Sequence, residues 1–210
     1  MFMPHRQKLT PELLIHAYCQ GVFPMATGRR GRIAFYSPDP RAILPLDRFH
    51  ISHSLRRRVR KGTYRITRDR VFDTVIRQCA KPRPNHPETW INEEIIDAYH
   101  RLHALGLAHS VEAWTREPAD ESSPAGGLYG VAIGGAFFGE SMFSRAVDAS
   151  KVCLVHLVAH LRERGFTLLD VQFTSPHMER FGVIEIPRKR FHRLLEAALG
   201  DSVDASASRW

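Results

Sequence analysis

The sequence predicts an α+β protein: a mixed sheet flanked by helices, preceded by a small N-terminal α/β domain. Three observations lead there. Apolar residues recur at helical spacing in segments bounded by cap residues, and alternating or continuously apolar runs between them are punctuated by glycine. The larger part of the chain is ordered as strands, then helix, then strand, which calls for a crossover on a mixed sheet. At 210 residues, with 43% hydrophobic and 25% charged side chains, the chain can build one sizeable core, or a small domain leaning on a larger one, and fibrous or disordered classes are excluded.

Thr10-Pro11-Glu12 supplies an N-cap with proline at the first helical position, Leu13, Leu14, Ala17 and Tyr18 form an apolar stripe, and Gly21 ends the helix. Between Val22 and Pro45, the residues Gly28, Gly31, Pro38, Pro40 and Pro45 break up regular structure, leaving loop and a short strand around Ile33 to Tyr36. Residues 1–61 read as the small domain and 62–210 as the larger one, with Gly62 at the boundary. Tyr64 to Thr67 follows as a short strand and Phe72, Val75, Ile76 and Cys79 as a helix; Pro82, Pro84 and Pro87 then impose a rigid irregular loop ahead of Trp90.

Asn92 caps a helix carrying Ile95, Ile96, Tyr99 and Leu102, which stops at Gly106. Ser110 to Trp114 alternates as a strand, Glu117 to Gly126 reads as a surface loop, and Leu128 to Ile133 with Ala136 to Phe143 form a hairpin about Gly134-Gly135. A helix spanning Ala149 to Arg164 leads through Gly165 to a strand from Thr167 to Phe173. Ser175-Pro176 begins a short helix ending at Gly182, Val183 to Ile186 is a strand, and Phe191 to Leu199 is the last helix.

The formal net charge of +8 points to a polyanionic partner, and its distribution narrows the choice. From Arg41 to Arg70 ten Lys/Arg face two Asp, and Arg56, Arg57, Arg58, Arg60 and Lys61 fill five of six consecutive positions. Such density exceeds what alternating ion pairs along a helix need; nucleic acid, held through its phosphates, is the expected partner, against the simpler reading of a solvated basic face. The polar start, with His5, Arg6 and Lys8, has no signal-peptide core, and no later apolar run approaches the ~20 residues of a membrane span, so a cytoplasmic protein without membrane contact is expected. Cys19, Cys79 and Cys153 form no C-x-x-C pair and are expected to be reduced.

Two carboxylates sit inside apolar strands: Glu140 in Gly139-Glu-Ser-Met-Phe-Ser-Arg145, and Asp170 in Leu169-Asp-Val-Gln172. A carboxylate buried in such a segment loses hydration and persists only where a cation or hydrogen bonds compensate it. Either alone is as well explained by a satisfied structural carboxylate; two together point to a site. Side chains two apart on a strand share a face, so Asp170 pairs with Gln172 and Glu140 with Met142, unless a bulge at Gly139 changes the parity. If the strands are neighbours, the two carboxylates and the amide converge at the edge of the sheet.

Along nearly its whole length the chain resembles the leucyl/phenylalanyl-tRNA protein transferase family. The matching segments include Gly21-Val-Phe-Pro24, Ser37-Pro-Asp-Pro-Arg41, His50-Ile-Ser52, Thr89-Trp-Ile91, Ala108-His-Ser-Val-Glu112, Gly126-Gly-Leu-Tyr-Gly-Val131, Gly139 to Arg145, Ala149-Ser-Lys151, Asp170-x-Gln172 and Glu185-Ile-Pro-Arg188. The resemblance implies an acyl-CoA N-acyltransferase-like fold and transfer of Leu or Phe, with Met as a further donor, from aminoacyl-tRNA to the N-terminal Arg or Lys of a protein, marking it for degradation. It implies Asp170, Gln172 and Glu140 as catalytic residues, and a donor pocket of Leu128, Phe137, Met142, Leu154 and Leu157. Trp90 would lie near the terminal adenosine, and Arg56, Arg57, Arg58, Arg60 and Lys61 would hold the tRNA acceptor stem. The ester is already activated, so no cofactor or metal is expected, and the protein is expected to act as a monomer. Met25 replaces a tryptophan that relatives can carry, and Leu128 and Leu157 replace a methionine and a phenylalanine in the pocket.

Two other functions compete. A CoA-dependent N-acetyltransferase would need a glycine-rich pyrophosphate loop where this chain has Arg145-Ala-Val-Asp148-Ala-Ser150, and Asp148 puts a carboxylate where the phosphates would approach. A non-catalytic tRNA-binding module would use the basic segment and Trp90 but leave Glu140, Asp170 and Gln172 without a task. His156-x-x-x-His160 and His100-x-x-His103 are spaced by about one helical turn, yet neither has the glutamate of an H-E-x-x-H zinc motif.

Overall fold

The computed structural model describes residues 8–82, 89–115, 123–200 and 209–210. Helix α1 (Pro11–Cys19) begins where the Thr10 hydroxyl accepts from the Leu13 N–H, and ends ahead of Gly21, whose φ of 69° only glycine adopts freely. Strands β1 (Phe23–Ala26) and β2 (Ile33–Tyr36) pair antiparallel as a separate two-stranded ribbon. Then come β3 (Arg41–Ile43), a 3₁₀ turn over Leu46–Arg48, α2 (His53–Arg60), β4 (Tyr64–Arg68), α3 (Phe72–Cys79), α4 (Glu93–Ala104) and β5 (Ala108–Thr115). Strands β6 (Gly126–Ile133) and β7 (Ala136–Ser144) form the expected hairpin, with Gly134 at a positive φ. Helix α5 (Ala149–Glu163) crosses to β8 (Leu168–Gln172), and α6 (Pro176–Glu179), β9 (Ile184–Ile186) and α7 (Arg188–Leu199) complete the described elements.

The main sheet has seven strands in the order β4-β5-β6-β7-β8-β3-β9. Only the β7–β8 pair is parallel, as a strand–helix–strand crossover through α5 requires. One face carries α1, α3, α4 and α7, with Tyr18, Tyr99, Phe138 and Phe191 buried between. The other carries α2 and α5, with Leu128, Phe137, Leu154 and Leu157 buried beneath them. The protein is therefore a mixed α/β fold, a seven-stranded sheet covered by helices on both sides. No helix among the described residues is long and apolar enough to cross a membrane.

Three elements went unseen in the sequence. Strand β1 lies where the sequence pattern predicts loop. Its pairing supplies order that four residues containing Pro24 do not advertise. Helix α2 was hidden in the basic run, because Leu55 is its one fully buried side chain and no wider apolar stripe exists. Strand β3, three residues between Pro40 and Pro45, looks like a broken segment, yet it lies between β8 and β9. The chain thus enters the large sheet at Arg41, ahead of the boundary expected at Lys61. His5, Arg6, the loop segment around Pro84 and Pro87, and most of the loop from Glu117 lie outside the described residues.

Candidate active site

The β7–β8 ladder pairs Ala136 with Leu168, Phe137 with Leu169 and Phe138 with Asp170, and stops there. At the same level the β6–β7 register shifts: Gly130 faces Gly139, Tyr129 faces Ser141, and Glu140 is the extra residue. This is a β-bulge, which re-aims a side chain and loosens the pairing around it. Opposite the bulge only glycine fits, because a Cβ at Gly130 would fall on the Phe138 carbonyl oxygen and the Phe137 ring. The bulge also changes the parity. Met142, opposite Leu128, looks to the α5 face, whereas Glu140 reaches Tyr18 on the α1–α4 face, so these two side chains do not share a face as simple alternation predicts.

The Tyr18 hydroxyl donates to Glu140 Oε1 at 2.6 Å, and the Tyr18 and Tyr99 hydroxyls are hydrogen-bonded to each other. Burial pushes the Glu140 carboxyl up to about 7; the tyrosine hydrogen bonds and the Arg41 charge pull it down, while the Asp170 charge pushes it up. Burial, then the Glu140 charge, holds both Tyr18 and Tyr99 well above the usual phenol range, so both hydroxyls keep their protons. The buried Tyr129 hydroxyl has no hydrogen-bond partner among the described residues.

Asp170 is fully buried and compensated by Arg41, itself 1% exposed. The guanidinium grips the carboxylate bidentately, Nε to Oδ1 at 2.9 Å and Nη2 to Oδ2 at 2.6 Å, and its third nitrogen donates to the Gly21 carbonyl at 3.0 Å. Its plane sits between the Phe23 and Phe191 rings, 4.7 and 4.5 Å from their centroids. Asp170 also accepts from the Gln172 backbone N–H at 3.0 Å and its side-chain amide at 3.4 Å. Gln172 has φ 58°, a left-handed conformation that a non-glycine residue holds only where its surroundings impose it, and these two hydrogen bonds impose it.

Where the ladder opens lies a cavity of about 190 Å³, lined on the α5 side by Leu128, Met142, Leu154 and Leu157 and on the polar side by Tyr129, Glu140 and Ser141. Four of the five expected pocket residues therefore converge. Phe137 does not: it is buried with its ring 5.4 Å from Trp210 and 6.5 Å from Phe166. Trp90 is also absent from the cavity lining; it packs half-buried against the core, its carbonyl accepting from Ala26 N–H at 3.0 Å beside Met25. Of the three expected catalytic residues only Glu140 lines the cavity; Asp170 and Gln172 are buried on the adjoining strand β8, inside the sheet and not at its edge, since β3 and β9 lie beyond β8. Arg41 was not singled out from sequence, although it ends the Ser37-Pro-Asp-Pro-Arg41 segment and is a lone cation in an apolar stretch.

On α2, Arg56, Arg57 and Arg60 are exposed, as is Lys61 just beyond, while Arg58 is half-buried and pairs with Asp148 at 3.1 Å. Among the described residues no group of three potential ligands could hold a metal. His103 stacks on Phe72 at 4.3 Å, His100 pairs with Asp73 at 2.9 Å, and His160 packs edge-on against Trp210. Cys19, Cys79 and Cys153 form no disulfide.

Comparison with known proteins gives the family. The leucyl/phenylalanyl-tRNA protein transferase family model matches residues 43–196, and the model of that family's N-terminal domain matches residues 7–39. A Rubrobacter xylanophilus leucyl/phenylalanyl-tRNA protein transferase is 58% identical over 192 residues, covering 91% of this chain and 96% of the relative. Its Salinibacter ruber counterpart is 54% identical over 93% of this chain and 83% of its own length. Among solved structures, L-PGS from Bacillus licheniformis aligns over 76% of this chain and 50% of its own at 13% identity, with a TM-score of 0.42, too low to carry an argument. The class follows: the protein is an enzyme, an aminoacyltransferase. More narrowly, the chain belongs to the leucyl/phenylalanyl-tRNA protein transferase family.

Two predictions test the site. Arg41→Met strands a buried carboxylate and is expected to cost about 3–5 kcal/mol in urea unfolding, together with loss of activity. Glu140 behaves in the opposite sense. Its folded pKa lies above the unfolded 4.5, so the native state retains a proton that the unfolded chain releases, and its contribution to stability falls as pH rises from 4.5 through about 7. Glu140→Gln should therefore gain on the parent between about pH 5 and pH 8, by on the order of 2 kcal/mol after discounting the open side of the cavity, as read by denaturant titrations at both pH values.

Proposed function

We propose that this enzyme moves Leu or Phe, with Met as a further donor, from aminoacyl-tRNA to the α-amine of proteins whose first residue is Arg or Lys, marking them for degradation in the cytoplasm. The observation that carries the reading is an apolar cavity of about 190 Å³ whose lining includes the half-buried carboxylate of Glu140, at the level where the β7–β8 pairing ends at Asp170, two residues before the aspartate-held Gln172. The volume suits an amino-acid side chain, and the apolar wall favours Leu, Phe and Met. The acyltransferase-like sheet type, the monomeric state and the absence of a cofactor belong to the same proposal.

The donor ester needs no further activation; the acceptor amine must be neutral and aimed. An α-amine with pKa ~7.7–8.0 is partly neutral near pH 7, so a weak acceptor at hydrogen-bond distance suffices. The Gln172 amide nitrogen donates to Asp170, which leaves its carbonyl oxygen as the group that accepts from that amine. The amine nitrogen then bonds to the ester carbon, the carbon–oxygen bond to the terminal ribose breaks, and the released hydroxyl takes up a proton while the amine gives one up. Glu140 pairs with the acceptor's positive charge. An Arg or Lys is selected because a neutral residue would leave that carboxylate buried and unpaired. Exposed Arg56, Arg57, Arg60 and Lys61 hold the acceptor stem by charge and shape, and Trp90 stacks near the terminal adenosine.

The deciding assay is transfer of labelled leucine from charged tRNA to peptides differing only in their first residue: Arg and Lys peptides should be labelled and the Ala peptide not, with Asp170→Ala abolishing transfer while tRNA binding persists. Equal labelling of all three peptides refutes the selection. Filling the cavity by Leu157→Trp should depress transfer of Phe more than that of Leu, as read from the ratio of kcat/KM values.

A further inference from the structure

A second cavity, of about 290 Å³, lies beside the first and has no part in the chemistry described so far. Its polar lining comes from three places in the chain: Ser52 and Ser54 at the start of α2, Asp148 and Lys151 at the start of α5, and His177 and Arg180 on and after α6. The one carboxylate in that lining is already satisfied, accepting from Lys151 Nζ at 2.8 Å and from Arg58 Nε at 3.1 Å. Two permanent cations, Lys151 and Arg180, thus line the cavity against a single carboxylate that Arg58 also grips from outside the lining, and the Ser52 and Ser54 hydroxyls, 3.1 Å apart, complete its polar wall. His177 sits in the same field: burial lowers its pKa first, and the neighbouring Lys151 and Arg180 charges lower it further. An anion in the cavity would relieve this repulsion and meet both hydroxyls.

Its location selects the anion. Lys151 and Leu154 are three residues apart on α5, and His177 adjoins Met178; Leu154 and Met178 both line the catalytic cavity. The two cavities share no lining residue but are lined by neighbouring positions on α5 and α6, on α5 about one helical turn, ~5 Å, apart, which is the scale of a nucleotide. We propose that the second cavity binds a backbone phosphate of the donor RNA's single-stranded 3′ end, just upstream of the aminoacylated nucleoside, so that the ester is fixed in the first cavity by an anchor in the second. The inference rests on the function proposed above. It adds a contact distinct from the exposed α2 arginines, one that fixes register close to the reacting carbon, where those hold the stem.

The test separates the two levels. Equilibrium binding of the uncharged trinucleotide CpCpA and of adenosine is measured on the parent and on the double variant His177→Gln/Arg180→Gln, both exposed positions outside the core. The parent is expected to bind the trinucleotide at least about tenfold more tightly than adenosine, and the variant to lose most of that preference, with the salt dependence of log K reduced by about one. In transfer assays the variant should raise KM for charged tRNA with kcat unchanged, and leave both constants unchanged for an aminoacyl-adenosine lacking phosphate. A parent without the trinucleotide preference, or a variant that keeps it, overturns the site. Inorganic phosphate binding as tightly as the trinucleotide would make it a small-anion site and overturn the RNA assignment. A preference abolished by the variant in a protein that transfers no amino acid from tRNA would instead count against the proposed function alone.

Discussion

The bidentate pair between Arg41 and Asp170 is the contact on which the rest of the molecule turns. It brings together a three-residue strand, the crossover strand β8, the end of α1 through the Gly21 carbonyl, and aromatic rings from β1 and α7. Desolvating two charges is expensive, and full geometric satisfaction is what makes the pair tolerable: every guanidinium nitrogen and both carboxylate oxygens are engaged. The consequence reaches the chemistry. Asp170 has no lone role as an acid or base while Arg41 holds it; its remaining capacity goes to the backbone and side chain of Gln172, fixing that residue in a conformation it would otherwise avoid.

The second constraint is the bulge at Glu140. An uninterrupted β7–β8 ladder would leave no cavity, because paired strands stand only ~5 Å apart. The inserted residue, accommodated by Gly130, ends the pairing just past Phe138 and sends a carboxylate towards two phenols. Burial destabilises the charged form, the phenols stabilise it, and the balance leaves the group poised near pH 7. A fully solvated carboxylate would attract a cation weakly, and a completely enclosed one would stay protonated. Glu140 lies between these limits.

Much of this was legible because it depends on local rules. The caps at Thr10, Asn92 and Ser175, the Gly134-Gly135 turn and the long apolar stripe of α5 each announce themselves within a few residues. Polar residues in apolar strands marked Glu140, Asp170 and Gln172 for the same reason: burial without compensation is forbidden, so compensation had to exist. What the sequence concealed is long-range. The partner of Asp170 lies 129 residues away on a strand too short to show a period. Phe137 and Met142 look equally apolar in sequence, and only the register shift between them decides which one meets the cavity. The basic run likewise says nothing of Asp148, 90 residues on, which withdraws Arg58 from the exposed set.

On the proposed chemistry, the parity change at the bulge lets a single opening serve two substrates. Leu128, Met142, Leu154 and Leu157 belong to the layer under α5, whereas Tyr18, Tyr99 and the Arg41–Asp170 pair belong to the layer under α1, α4 and α7. An apolar donor side chain and a cationic acceptor make opposite demands on solvation, and a pocket of uniform lining would compromise both. Placing them on opposite faces of a sheet removes the conflict, provided the sheet is open where they must touch. The gap past Phe138 provides that, Glu140 following on β7 and Gln172 on β8 just beyond the last paired residues. On the proposed chemistry the amine and the ester therefore meet through the sheet, and the width of that gap, set by one extra residue in β7, governs the distance between the reacting atoms.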